Sequence, residues 1–363
     1  MLRFVGQGCY TGLTLVILCG CANDIYLGSR RAPEIETEFE TESSLDSNSE
    51  SSIDTMTEPH ESDTDPTDPV LLNLEGDLDV LDPTIIEFDN SYVIFHTGPG
   101  ISVKRSDDLI TWRADTDVFN PKPDWIVSEF PDTDRLWGPD ISFFGGAYHL
   151  YYGVSTFGSN VSCIGHAVTN DLGEGMRWTD LGKVICTTSA DTWNAIDPNW
   201  TRDENGDPWM VLGSYWTGIK AVRLDESGTL FNDTVVDISS RGEDIATAAP
   251  LVVRRNDTFY HFVSFDQCCM GIDSTHNIRV GRADTFLGPY LDFDGVSMLD
   301  GGGTLILEGD SRWRGPGHNA VFESGGIYYN VYHAYDTEKN GMPTLRISTM
   351  VWDADGRPRV AGP

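Results

Sequence analysis

The sequence predicts an all-β chain that folds, from about residue 70 onward, as a single five-bladed β-propeller. Three observations carry this. From about Val70 the chain is a series of short apolar and aromatic runs broken by Gly, Asp, Asn and Pro, with no sustained helical period. A repeat recurs five times: Asp82-Pro83-Thr84-Ile85-Ile86, Pro139-Asp140-Ile141, Asp197-Pro198-Asn199-Trp200, Ala249-Pro250-Leu251-Val252 and His318-Asn319-Ala320-Val321. After each copy, polar turn residues lead into an aromatic strand: SYVIFHT, AYHLYYG, PWMVLG, TFYHFVS and IYYNVYH. With Pro83, Pro139, Pro198, Pro250 and Asn319 as equivalents, the spacings are 56, 59, 52 and 69 residues, each room for about four short strands, the content of one blade.

Residues 1–21 precede this domain and read as a lipoprotein-type signal peptide. Arg3 is followed by an apolar run from about Leu13 to Leu18, too short to span a bilayer. The run ends in Leu18-Cys19-Gly20-Cys21, which resembles a bacterial lipobox with Cys21 as the lipidated residue. The alternative is an ordinary secretory signal with an incidental cysteine. The chain is therefore expected to be exported and lipid-anchored, or else secreted.

Residues 22–69 are rich in Glu, Asp, Ser, Thr and Pro and carry 14 acidic side chains against Arg30 and Arg31. So few apolar groups cannot offset the entropy of ordering, so a disordered tether is expected, with a mean reach of about 40 Å. It makes a spacer between an anchor and the folded domain.

The 363 residues carry 57 acidic and 24 basic side chains, a formal charge of −33. Such a surface repels phosphate backbones, which argues against nucleic-acid partners. With 10 Trp, 13 Tyr and 16 Phe, neutral sugars fit better. The innermost strand of each propeller blade runs along the central channel. If each repeat opens that strand, Asp82, Asp197 and His318 converge near one mouth, and carboxylates distant in sequence share a pocket, as a glycosidase needs.

Several stretches now carry a family resemblance. Besides the repeats, they are Leu136-Trp137-Gly138-Pro139-Asp140, Asn194-Ala195-Ile196-Asp197-Pro198, Gly213-Ser214-Tyr215-Trp216, Phe262 to Cys269, Gly301 to Leu305, Gly315-Pro316-Gly317-His318-Asn319-Ala320 and Pro343 to Ile347. From about residue 78 to 355 the chain resembles the endo-1,5-α-L-arabinanases of glycoside hydrolase family 43, five-bladed propellers that invert the anomeric centre. The resemblance implies endo-hydrolysis of internal α-1,5-L-arabinofuranosidic links in arabinan, the side chains of pectin, by a monomer whose only membrane contact is the lipid anchor. It makes Asp82 the general base and Asp197 the residue that raises the acid's pKa and positions the sugar. Gly158, Asn194, Ala195, Ile196, Ser214, Tyr215 and Trp216 fall with Asp82 and Asp197 at substrate-contact positions. His318 resembles a histidine that helps hold an ion through waters, best matched by Ca²⁺. No organic cofactor is implied.

One position departs from the family. Its acid Glu opens the fourth repeat, where this chain reads Ala248-Ala249-Pro250. Alanine donates no proton, and general acid catalysis is worth about 10²–10⁴-fold. Three readings follow: an arabinan-binding pseudoenzyme, a Glu-to-Ala change in an ordinary arabinanase, or rescue by Glu243 or Asp244. Leu81, where relatives often carry His, is a second departure. A propeller serving only protein partners would not require Asp82, Asn194 to Asp197 and Ser214 to Trp216. The exo-arabinanase and β-xylosidase branches fit less well around Phe265 to Cys269.

Other positions keep two readings. Trp137 and Trp216 could stack on sugar or pack between blades, and Asp140 could line the channel or cap a strand. Cys163 and Cys186 fall on consecutive strands of one blade, where an exported protein could bridge them. Cys268 and Cys269 could form a vicinal bridge or remain thiols.

Overall fold

Each repeat leads into or lies in the innermost strand of a sheet of four antiparallel strands, and five such sheets form a five-bladed β-propeller; in blade 1 a short fifth strand, Glu75–Gly76, pairs in parallel with the outer edge. The computed structural model describes residues 68–242 and 245–363. The signal peptide, Cys21, the tether through residue 67, and Glu243 and Asp244 lie outside the described residues. The inner strands are Thr84–Phe88, Trp137–Phe144, Asn199–Arg202, Thr247–Arg255 and Trp313–Ser324. They neighbour one another in a closed ring, which makes them the wall of the channel. Among the described residues the one α-helix, Asp124–Glu129, lies between blades 1 and 2 in the chain and buries its own Ile126.

The five copies share a backbone device. Asp82, Gly138, Asp197, Ala249 and His318 have φ of 55°, 43°, 51°, 52° and 49°. Four of these five are not glycine, and each costs about 1–3 kcal/mol of strain that the surrounding blade must offset. In blades 2, 4 and 5 the inner strand begins before the repeat, at Trp137, Thr247 and Trp313, and a bulge marks the repeat itself. A bulge re-aims side chains and is common beside active sites.

The second strand of each blade explains the aromatic runs. Successive side chains point to opposite faces, so adjacent large residues serve two different blade junctions. Tyr152 packs with Phe95 and Leu136 between blades 1 and 2, while Tyr151 packs with Met210 and Leu212 between blades 2 and 3. Val211 and Val263 share the third junction, Phe262 and Tyr332 the fourth, and Val331 and Ile94 the fifth. Each fully buried aromatic or aliphatic side chain contributes about 1.5–3 kcal/mol.

Hydrogen bonds clasp three of the junctions. Thr84 Oγ1 accepts the amide of Ile141 at 3.4 Å, Asp140 Oδ2 that of Trp200 at 2.9 Å, and Asn199 Oδ1 that of Val252 at 2.9 Å. Leu251 and Ala320 stand at the equivalent places in blades 4 and 5 and cannot accept.

Blade 5 is instead joined to blade 1 by a strap, residues 70–80, that lies between them. Leu72 and Leu78 pair with Ile347 and Leu345 of blade 5, while the amides of Glu75 and Asp77 bond Ile110 and Trp112 of blade 1. Gly76 lets the two backbones touch, since a Cβ there would sit 2.1 Å from the Trp112 carbonyl oxygen. Cys163 and Cys186 are disulfide-bonded across adjacent strands of blade 2, and Cys268 and Cys269 form a vicinal disulfide.

Candidate active site

Asp82 sits at one channel mouth with its carboxylate divided between two blades. Oδ1 lies 3.2 Å from His318 Nδ1, and Oδ2 accepts a 2.7 Å bond from Thr97 Oγ1. Burial alone would raise its pKa. The His318 charge and hydrogen bond, with His333 and Thr97, outweigh that and hold the carboxyl well below the usual range. It is therefore ionised at any working pH. The same pairing raises His318 against the effect of its own burial, with Asp82, Asp197 and Asp140 all favouring the imidazolium.

His333 completes the base's setting. It is fully buried, which lowers its pKa to about 4 and keeps it neutral. Nδ1 accordingly accepts the backbone N–H of Asp82 at 3.1 Å, fixing the left-handed conformation that aims the carboxylate.

Asp197 faces the same imidazole from blade 3. A Cβ built on Gly138 would meet Asp197 Oδ1 at 2.7 Å and His318 Cε1 at 2.8 Å, so both groups border that one glycine. The Asp197 carboxyl is pushed up to about 6, chiefly by burial and further by Asp82, against the His318 charge and a 3.1 Å bond from the Ala249 amide. Two carboxylates flanking one imidazole thus have pKa values driven apart, the signature of an acid–base site.

Ala248 is half-buried on the inner strand of blade 4, opposite Ser264, and its successor Ala249 donates to Asp197. Position 248 is therefore next in the chain to the residue that bonds Asp197, and an alanine there offers no proton. Glu243 and Asp244, the candidates for rescue, lie outside the described residues.

The segments around Asn194 and Ser214 lock together. Asn194 Oδ1 accepts the Ser214 amide at 3.0 Å, the Ile196 carbonyl accepts Gly213 N–H at 2.8 Å, and Tyr215 N–H reaches the Thr247 carbonyl at 2.6 Å. Ala195 N–H is held by the Ser162 and Thr187 hydroxyls. Tyr215 and Trp216 both have positive φ, 53° and 38°, and Tyr215 is exposed. Trp137 is half-buried on the inner strand of blade 2. Gly158 stands on an exposed loop that Asn160 ties to the Asp191 carbonyl, and no described contact joins it to Asp82, Asp197 or His318.

Asp140 keeps both readings, since its bonds are those of a strand-end residue and it stands on the inner, channel-lining strand. It lies deeper in the channel wall, accepts from Asn199 at 3.1 Å and from the Trp200 amide, and is pushed up to about 6 by burial. As for a metal, Nδ1 of His318 is committed to Asp82, and among the described residues no three His, Cys, Asp or Glu side chains gather as a ligand set. The donors present form no protein cage, and a hydrated ion could be held through the remaining imidazole nitrogen only if His318 gave up the proton that its carboxylate neighbours favour.

Thr97, His333 and Ser264, whose Oγ accepts the His318 amide at 2.9 Å, had no motif to announce them. Their only trace is a polar residue at the end of an otherwise apolar aromatic strand, as in SYVIFHT and IYYNVYH.

A propeller with two carboxyls of opposed pKa at one mouth fits the class of carbohydrate-cleaving enzymes. Residues 74–358 match the family model described as glycosyl hydrolases family 43, and the chain belongs to that family of glycoside hydrolases. It is 40% identical over 279 residues to the extracellular endo-α-(1→5)-L-arabinanase 1 of Bacillus subtilis, covering 75% of this chain and 85% of that one. It is 38% identical over 301 residues to the extracellular exo-α-(1→5)-L-arabinofuranosidase ArbA of Cellvibrio japonicus, covering 78% and 86%. Among solved structures, the Cellvibrio cellulosa α-L-arabinanase complexed with arabinohexaose superposes with a TM-score of 0.76 at 37% identity, covering 78% of this chain and 96% of that one. The endo-arabinanase of Bacillus licheniformis gives 0.75 at 40%, covering 79% and 99%.

Proposed function

We propose that this chain binds α-1,5-linked arabinan at the Asp82 mouth and cleaves internal links with inversion, slowly, because position 248 supplies no acid. Asp82 takes a proton from a water, whose oxygen attacks the anomeric carbon as the glycosidic C–O bond breaks. The leaving oxygen must then be protonated, and with Ala248 in place solvent is left to do it. The observation that carries the reading is the opposed pair, Asp82 held ionised and Asp197 pushed up to about 6 across one imidazole. The arabinan-directed relatives support the substrate. A second reading, arabinan binding without turnover, is favoured by Ala248 itself.

A hydrated Ca²⁺ held through His318 would supply positive charge among Asp82, Asp140 and Asp197. Relatives named extracellular support export, and Cys21 would anchor the monomer. Replacing Cys21 by Ser should release the protein from membranes.

The deciding experiment measures reducing sugar released from linear 1,5-arabinan by the parent, Ala248→Glu and Asp82→Ala. Ala248→Glu should raise turnover about 10²–10⁴-fold, and Asp82→Ala should abolish it. A parent already fast, and insensitive to Ala248→Glu, would mean another group supplies the proton. No binding or cleavage by any variant would refute the arabinan assignment.

A further inference from the structure

The channel has a second mouth. Along the inner strands, Ile86 lies four residues beyond Asp82, about 13 Å at a strand's rise. There the wall flares into two adjoining cavities of about 520 and 370 Å³ that share Ile86 and Phe143. All five inner strands contribute to them, so the place is a property of the ring and not of one loop.

The lining has an amphipathic character. Phe143 is 55% exposed and leans on Tyr148 with ring centroids 4.7 Å apart, presenting an apolar face to the cavity. Thr201 is only 9% exposed, yet its hydroxyl has no partner among the described residues. Arg202 is neutralised by a forked pair with Glu226, and Asp203 is satisfied by the amides of Asn205 and Asp207 and the Trp209 indole. That leaves Arg254, whose guanidinium lies over the Phe259 ring at 5.3 Å and whose only ion pair among the described residues is at 3.5 Å to the exposed Asp257, against Glu87 and Glu323.

A polyanion would meet two carboxylates and a chain of net charge −33, and a cation would meet Arg254. An uncharged ligand with an apolar face and a rim of hydroxyls satisfies the ring face, the open Thr201 hydroxyl, the donor and the acceptors together. We propose that this second mouth is a non-catalytic site for a neutral pentose oligosaccharide, which rests on the arabinan reading of the first mouth. Two sites on opposite faces would let one chain hold a polymer while the catalytic mouth works along it.

The test is calorimetric titration of the full chain carrying Asp82→Asn with linear α-1,5-arabinohexaose. Two sites per chain are expected. Phe143→Ala should remove one and Trp216→Ala the other. Thr201→Val, a near-isosteric change, should weaken the Phe143 site about tenfold, which guards against a folding defect in Phe143→Ala. A single site, lost with Trp216→Ala and indifferent to Phe143→Ala and Thr201→Val, overturns this inference alone. No binding at either mouth overturns the arabinan reading with it.

Discussion

Thr97 and Asp82 are joined by one hydroxyl: Thr97 Oγ1 donates to Asp82 Oδ2 at 2.7 Å and accepts the amide of Gly138 at 2.9 Å. The same atom thus fixes the proposed base and links blade 1 to blade 2.

Thr97→Val should strand both partners. An unpaired buried amide and a lost bond to a charge together cost about 1–3 kcal/mol. Urea unfolding should show that loss. Reducing-sugar release by Ala248→Glu should fall about tenfold when Thr97→Val is added. An unchanged rate would mean His318 alone positions Asp82.

Gly138→Ala tests the contact between the two proposed catalytic blades. Its Cβ would sit within 2.8 Å of both Asp197 and His318, at a φ of 43°. Gly146→Ala is the control, with φ 84° and no atom within 4 Å. The control should cost about 1 kcal/mol of backbone strain and spare binding. Gly138→Ala should cost more and abolish arabino-oligosaccharide binding in the same titration.

Asn199→Leu should break the clasp between blades 2, 3 and 4. Val252 N–H loses its acceptor and Asp140 loses a donor, both in the buried channel wall. A loss of about 2–4 kcal/mol is expected from the denaturation midpoint. A loss below about 0.5 kcal/mol would show that packing alone holds these junctions.

Asp197→Asn should make stability respond differently to pH. The folded carboxyl titrates at about 6 against an ordinary value of 3.8, so the folded state holds the proton more tightly. Its contribution is present in full below about pH 4 and is lost as pH rises through 6. Asn does not titrate. The stability of the parent minus that of the variant should therefore fall by about 2–3 kcal/mol between pH 4 and 7 and then level off. Urea melts across that range measure it, and a flat difference would contradict the buried setting described for Asp197.

Much of the fold was legible because each blade repeats the same local device. A proline or asparagine, then an aromatic strand, recurs at blade spacing, and on that basis Asp82, Asp197 and His318 are expected at one mouth; the left-handed φ of the residue before each Pro or Asn shows only in the structure. What stayed hidden are contacts made by ordinary residues across large sequence distance. His333 meets Asp82 from 251 residues away, and nothing in IYYNVYH distinguishes a base-positioning histidine from a packed one. The strap at 70–80 has alternating apolar residues, Leu72, Leu74, Leu78 and Val80, that pack into the core, but its partners in blades 1 and 5 are bound mainly through backbone and carry no signature of their own. Gly158, placed with the substrate contacts, stands on an exposed loop, and no described contact joins it to the charged cluster.

The strap also sets an order of events in biosynthesis. Val70 bonds Thr349 across 279 residues, so the first part of the domain to be made waits for nearly the last. Four blades can form as they emerge, but the ring cannot latch until blade 5 has been synthesised. Until then the first and last blades both present open edges, the exposed state that invites pairing between chains. Closure of the ring is therefore the last step of folding, wherever the chain folds.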